Sequence, residues 1–346
     1  MIYDLIVVGN GQAAQTFLFE LFRKLDVKKS QNFSVAQIYS EEVATSCSRR
    51  STATASLCGI EEGVSDLGNE LREAFFLFEN FFNLHAPEGV EKTRQVVGFS
   101  NEKDKAKMIR RYKELKTVEH SILNTEMEGT DLNSYVIRPD AYSAWFETQL
   151  SSRNITIKNN FIKKLKKNAE GILECELLSG EKICARKIVL CTGAYAKLFS
   201  EFFNESFDDS LDPKQTQVVA GSYLERFVDL KQASFYITID DHNLIYRSSD
   251  QQLILGSVSM NNGVVMADHL ELSKILTLFA ERCNLSLGEL RDFKVVTGLR
   301  HKGVRRRPIA KALDLEKNIF MINGLYKNGF TTSHLCARKI LIELNL

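Results

Sequence analysis

Net charge is what this sequence most obviously lacks. Against 45 lysines and arginines stand 44 aspartates and glutamates, a formal charge of +1 over 346 residues. A face built to hold nucleic acid carries a clear basic excess, so no nucleic-acid partner is expected; Arg305-Arg306-Arg307 is the one obvious basic run. No apolar stretch approaches the ~18–20 residues that cross a bilayer as a helix. The N-terminus has no basic segment ahead of an apolar core, and Asp4 interrupts its apolar start, which is not the layout of a secretory signal. Cysteines stand at 47, 58, 175, 184, 191, 283 and 336, an odd number with no Cys-x-x-Cys pair. That pattern argues against a disulfide framework or a zinc site and fits a reducing, cytoplasmic setting. The six histidines show no metal-ligand spacing. No repeat and no low-complexity linker divides the chain.

The length suggests two domains. Leu5-Ile6-Val7-Val8 reads as a buried parallel strand, and residues 12–24 as a helix with Phe17, Leu18, Leu21 and Phe22 on one side. A polar loop, Asp26 to Asn32, leads to a second strand at 33–39, completing a βαβ start. Helices are predicted at 65–83, 101–116, 140–151, 270–283 and 332–344. Strands are predicted at 155–158, 161–166, 172–178, 183–186, 187–191 and 318–323, with an antiparallel run through 216–258. Residues 86–134 read as polar and mixed.

Between the first strand and the first helix lies Gly9-Asn10-Gly11-Gln12-Ala13-Ala14. In a strand–turn–helix, the first glycine permits the tight turn and the second lets a diphosphate approach the main chain. The small third residue packs helix on strand. The amides of Gln12, Ala13 and Ala14 then face the phosphates at the positive end of the helix dipole. Alone the spacing is a weak signal; its setting is what the motif requires. An acidic residue at the end of the second strand would bind ribose. Glu41 is chosen over Glu42, although it lies farther along than the usual ~20 residues and demands an insertion at Asp26–Asn32.

Four segments in order carry a family resemblance: the opening motif, "IVLCTGAYA" at 188–196, "VVTGLRHKGVRRRPI" at 295–309 and "NIFMINGLYKNGFTTSHLCARKI" at 318–340. Together they resemble the D-amino-acid oxidase superfamily of FAD-dependent oxidoreductases, most nearly its glycine oxidase-like members. "GLYKNGFT" resembles that family's Gly-His-x-Arg-Asn-Gly segment. The resemblance implies an α/β fold: a Rossmann-type FAD-binding domain interleaved with an α+β substrate domain built on a large antiparallel sheet. The FAD domain would comprise 1–85, 136–212 and 295–346, and the substrate domain 86–135 and 213–294.

It further implies noncovalent FAD, with Ile162 offering its backbone to adenine and Thr192 and Gly193 on the diphosphate side. Asn328, Gly329 and Phe330 would meet the flavin edge. Arg300 matches an arginine that grips a substrate carboxylate, whose two oxygens suit a guanidinium fork. Lys327 replaces an arginine of the family pattern, and Tyr246 is a further substrate-contact candidate. His301 is the only catalytic candidate. The implied activity is oxidation of an amino acid or other small carboxylated amine by hydride transfer to flavin N5. The alternatives are a 2-hydroxyacid dehydrogenase and a flavin-binding subunit without turnover, and oligomeric state is left open. The chain departs from the family at "VRRRPIAKA", where arginine stands for aspartate and no glycine follows. It departs again at "SCSRRSTATASLCG", where Thr54, Ala55 and Ser56 fill slots often held by glycine.

Overall fold

A computed structural model of the chain describes residues 1–25, 31–41, 47–60, 63–112, 115–203, 216–261 and 263–346. Two units emerge, each discontinuous in sequence: Met1–Ser48, Ser143–Val219 and Leu299–Leu346 form the first, Arg49–Tyr142 and Ala220–Gly298 the second. Residues 49–85 and 136–142 therefore belong with the second unit rather than with the nucleotide domain expected for them. Elements are numbered below in chain order across both units.

The first unit is built on a sheet whose order is β16-β17-β10-β1-β2-β7, with β9 pairing with β10 and β8 with β9. Its strands are β1 (Ile2–Val8), β2 (Val35–Tyr39), β7 (Ile155–Asn159), β8 (Ile162–Lys167), β9 (Leu173–Leu177), β10 (Lys182–Leu190), β16 (Ile309–Ala312) and β17 (Ile319–Asn323). From β17 to β7 every pairing is parallel. The sequence reads a break at 186–187, but β10 runs through it as one strand, because its first half pairs with β9 and its second with β17.

Strand alternation sorts β1 between two cores. Leu5 and Val7 join Phe17, Leu18 and Leu21 of helix α1 (Gln12–Lys24) and Ala337, Ile340 and Leu341 of helix α6 (Gly329–Glu343). Ile6 and Val8 face the other way, with Leu165, Leu173 and Phe199. Each fully buried Leu or Phe contributes roughly 1.5–3 kcal/mol, which fixes α1 and α6 on one face of the sheet.

The second unit carries a sheet of order β15-β11-β14-β13-β12-β4-β6-β3, with β5 beside β6. The strands are β3 (Thr54–Ser56), β4 (Val90–Gly98), β5 (Lys116–Val118), β6 (Met127–Ile137), β11 (Gln217–Phe227), β12 (Phe235–Ile239), β13 (His242–Arg247), β14 (Gln252–Met260) and β15 (Lys294–Lys302). The stretch 86–134 that read as mixed thus holds three strands and the helix α3 (Glu102–Tyr112). One face of this sheet packs Leu244, Tyr246, Leu253 and Leu255 against Leu272, Ile275 and Phe279 of helix α5 (His269–Arg282).

Helix α2 (Asp66–His85), capped by Ser65 accepting the Gly68 N–H, lies in this unit too. Its Phe75, Phe78 and Phe82 surround Tyr135 of β6 at ring separations of 6.1, 5.3 and 4.9 Å. That aromatic cluster holds the helix against β6 within the second unit. Helix α4 (Pro139–Leu150) begins with proline at its first position, where no N–H is needed.

Candidate functional site

The carboxyl ends of the parallel strands in the first unit are where a ligand is expected on such a sheet. Gly9 follows β1 with φ +119°, and a Cβ there would stand 2.4 Å from the Cys191 carbonyl oxygen at the end of β10. Glycine is required at that position on both counts. Gly11 is an ordinary extended helix cap, φ −83°. Its carbonyl accepts from the N–H groups of Ala14 and Gln15. The Gln12 N–H donates to Ser48 Oγ at 3.0 Å, so not every amide expected to face phosphate is open. Among the described residues, the N–H groups of Asn10, Gly11 and Ala13 have no backbone acceptor. No acidic side chain occupies the first turn of α1. Three free amides at a helix start, without local negative charge, make an anion cradle.

Gln37 of β2, not singled out in the sequence, braces this turn: its Nε2 donates to Gly9 O at 3.0 Å and to Asn10 Oδ1 at 3.2 Å. Nothing in the Gly-x-Gly spacing points to it, since the contact is made across strands. Glu41 lies two residues past β2, exposed, its N–H donating to Asn159 Oδ1 at 3.2 Å. Glu42 and residues 26–30 of the proposed insertion lie outside the described residues. Ile162 begins β8, buried and paired with Leu177.

At the end of β10, Thr192 has a buried hydroxyl with no hydrogen-bond partner among the described residues. Gly193 adopts φ +54° with open space where a Cβ would point. Beside it, Asn323 at the end of β17 donates from Nδ2 to Gly193 O at 3.1 Å and accepts the Gly324 N–H at 2.9 Å. The helix α6 starts at Gly329, three residues earlier than its periodicity suggests, because Asn328 O accepts both the N–H and the hydroxyl of Thr332. Phe330 is buried against the core.

Two of the four segments that carry the resemblance, 295–309 and 318–340, meet here. Gly303 and Gly324 face one another, a Cβ on Gly324 falling 3.3 Å from the Gly303 Cα. Tyr326, itself at φ +49°, donates its N–H to His301 O at 3.2 Å. Lys302 and Lys327 both lie over the Tyr326 ring, at 5.9 and 5.8 Å. Arg305, Arg306 and Arg307 are exposed, the first two in the left-handed region.

Arg300 and His301 leave opposite sides of β15 and are both buried, 4% and 5% exposed. No carboxylate pairs with Arg300 among the described residues. It stands close enough to Cys47 to favour that thiol's ionisation, although burial dominates and pushes the thiol's pKa up. Among the described residues His301 finds no partner of good geometry for either ring nitrogen. Burial, outweighing the nearby Asn323 amide, holds its pKa down to about 4. The ring is therefore neutral and a weak base.

Tyr246 is placed differently from a ligand contact. It lies on the α5 side of the second sheet, 1% exposed, its hydroxyl accepting the Leu230 N–H at 3.3 Å. Its side chain is committed to the core. Arg247, on the opposite face, donates to Ile137 O at 2.9 Å and pairs with Asp250 at 2.8 Å. Thr54, Ala55 and Ser56 form the short strand β3, paired with β6 rather than left as a loop.

Among the described residues no helix is long and apolar enough to cross a membrane, and no cluster of acidic, histidine and cysteine side chains could hold a metal ion. No curated protein sequence matches the chain. Solved structures do. Glycine oxidase of Bacillus cereus ATCC 14579 aligns with a TM-score of 0.79 at 13% identity, over 99% of this chain and 97% of that one. Dithionite-reduced L-alpha-glycerophosphate oxidase of Mycoplasma pneumoniae, with FAD bound, gives 0.79 at 13%, covering 100% and 95%. L-proline dehydrogenase of P. horikoshii gives 0.74 at 12%, covering 99% and 93%. At such identities these likenesses establish the fold.

The family model described as DAO, FAD dependent oxidoreductase, matches residues 4–344. The residues present suit that cofactor: the Gly9 approach that a Cβ would close, the free amides of Asn10, Gly11 and Ala13, and the unpartnered Thr192 hydroxyl. The chain belongs, over nearly its whole length, to the DAO family of FAD-dependent oxidoreductases.

Proposed function

We propose that this enzyme oxidises an amino acid or another small amine bearing a carboxylate. The observation that carries the reading is Arg300, a cation 4% exposed and without an anion among the described residues. A desolvated guanidinium without a partner is costly by several kcal/mol. It persists where a ligand supplies the counter-charge, and its planar fork matches a carboxylate bidentately.

Bound FAD supplies the hydride acceptor. The protein's own part is to bind and orient. Arg300 fixes the carboxylate end of the substrate, so that the carbon next to it is held in one place. Lys327, on the loop before α6, adds a second positive charge without bidentate geometry. The N-terminus of α6 supplies a positive dipole end, favourable wherever negative charge builds on reduction.

An amine loses hydride from its neutral form without a dedicated base, whereas a hydroxyacid requires one. His301, neutral with a pKa of about 4, is poorly matched to that role near neutral pH. This supports the amine over the 2-hydroxyacid alternative.

The test is anaerobic mixing of holoenzyme with panels of amino acids, N-substituted amino acids and 2-hydroxyacids, following flavin absorption. Bleaching by a carboxylated amine, lost when the carboxylate is replaced by an amide, is the expected result. Bleaching by hydroxyacids alone, or by none of them, overturns the proposal.

A further inference from the structure

We propose that His301 is a cofactor contact of this chain, its neutral imidazole hydrogen-bonding the polyhydroxyl linker between the diphosphate and the ring of FAD. The inference rests on the cofactor assignment and is independent of which substrate is oxidised.

Strand order provides the placement. The anion cradle lies at the end of β1; β10 is its neighbour and β17 the next strand beyond. Adjacent strands are ~4.8 Å apart, so a chain leaving the diphosphate toward the start of α6 passes over the ends of β10 and β17. Those ends present Thr192, Gly193 and Asn323. The Thr192 hydroxyl is buried and unpartnered, and Gly193 opens onto free space. Asn323 already spends one hydrogen bond at each end of its amide, on Gly193 O and the Gly324 N–H, and has less to offer a ligand.

His301 is the remaining group of this corner. It is 5% exposed, lies beside Asn323, and neither of its nitrogens makes a hydrogen bond of good geometry among the described residues. Lys197, on the 3-10 helix Gly193–Phe203 that follows β10, is the charged group whose field reaches it. A buried imidazole with two orphan nitrogens is a liability to the empty fold. A neutral imidazole offers one donor and one acceptor, which is the pairing a row of hydroxyls requires.

The test compares wild type, His301→Leu and His301→Gln as apoproteins titrated with FAD and with 2′-, 3′- and 4′-deoxyribityl FAD analogues. Flavin fluorescence quenching gives Kd, and urea denaturation gives apoprotein stability. With His301→Leu, the urea midpoint of the apoprotein should stay equal or rise, since an unsatisfied polar group has been removed. The FAD Kd should rise about tenfold, the worth of one hydrogen bond to a neutral group. At least one deoxy analogue should bind wild type about tenfold more weakly than FAD but bind the Leu variant with the same affinity as FAD. His301→Gln, which keeps a donor, should recover part of the loss.

A purely structural histidine gives the opposite pattern, a lower urea midpoint with FAD affinity unchanged, and overturns the proposal. So does an affinity loss that is the same for FAD and all three analogues. If the Leu variant fails to fold, the same comparison is made with His301→Gln, where additivity with every analogue is the overturning result. Wild type that binds no FAD would instead refute the cofactor assignment itself.

Discussion

His334 Nδ1 lies 2.9 Å from Glu20 Oε1, joining α6 to α1 where the two side chains are only 1% and 4% exposed. Helix α1 follows β1, and α6 follows β17 two strands away in the same sheet. The pair is flanked by Thr16 donating to Ser333 at 3.2 Å and by Arg23 on Glu20 at 2.7 Å. Burial works to raise the Glu20 pKa, but His334 and Arg23 together overcome it and bring it to about 2. Glu20 is thus ionised and can only accept, so the Nδ1 of His334 carries the proton. Burial also lowers the His334 pKa, against the pull of Glu20, and the imidazole is neutral.

Stability should therefore fall with acid in two stages. An unfolded histidine takes up a proton below ~6.5 while His334 in the fold resists it, so stability begins to drop there. Glu20 contributes fully above its unfolded value of 4.5 and loses that contribution as pH falls toward about 2. His334→Ala, which strands a buried carboxylate on Arg23 alone, should cost ~3 kcal/mol. It should also flatten the first stage. Urea melts from pH 4 to 8 read both effects; an unchanged slope between pH 5 and 7 in the variant contradicts the assignment.

Gly9→Ala forces a side chain into the Cys191 carbonyl at φ +119°. Strain of that kind costs roughly 1–3 kcal/mol and shifts the turn away from the diphosphate. The variant should purify with little flavin and melt earlier, whereas Gly180→Ala, in a hairpin with open space around it, should keep its flavin. Absorbance ratios at the protein and flavin bands check this.

Arg300→Met removes a buried charge that has no described partner. The apoprotein should be as stable as wild type or more so. Loss of a desolvated charge pair with substrate should lower kcat/KM by ~2–5 kcal/mol, chiefly through KM. Arg300→Lys should fall between the two, keeping charge without the fork. Steady-state kinetics and thermal melts together decide; equal kcat/KM in wild type and Met variant would place the carboxylate elsewhere.

Thiol chemistry offers an independent check on burial. Cys47, Cys58 and Cys184 are half-buried, the other four buried. Burial raises the pKa of the Cys47 and Cys58 thiols, and those of Cys175 and Cys283 to about 12. Since the thiolate is the nucleophile, iodoacetamide at neutral pH should label Cys184 first and the others only on unfolding. Peptide mass mapping over time would show the order.

What the chain wrote locally was legible. β1, the Gly9 turn and α1 follow from a β-branched run, two glycines and a helical stripe within 24 residues, and the start of α4 from a proline. The 3.6-residue period of α2 was legible from its phenylalanines. In each case the physics acts over neighbours in sequence.

Other features depend on approaches across long stretches of chain, and only the folded structure decided them. Gln37 braces Gly9 from another strand, Ser48 takes one amide of α1, and α2 joins the second unit because Tyr135 lies 60 residues further on. Tyr246 and Arg247 show the limit most clearly. Alternation says they point to opposite faces, but only the packing of α5 decides which face is core. Likewise a glutamate at 20 and a histidine at 334 are ordinary polar residues in sequence, and become a buried pair only when two helices lie on the same side of one sheet.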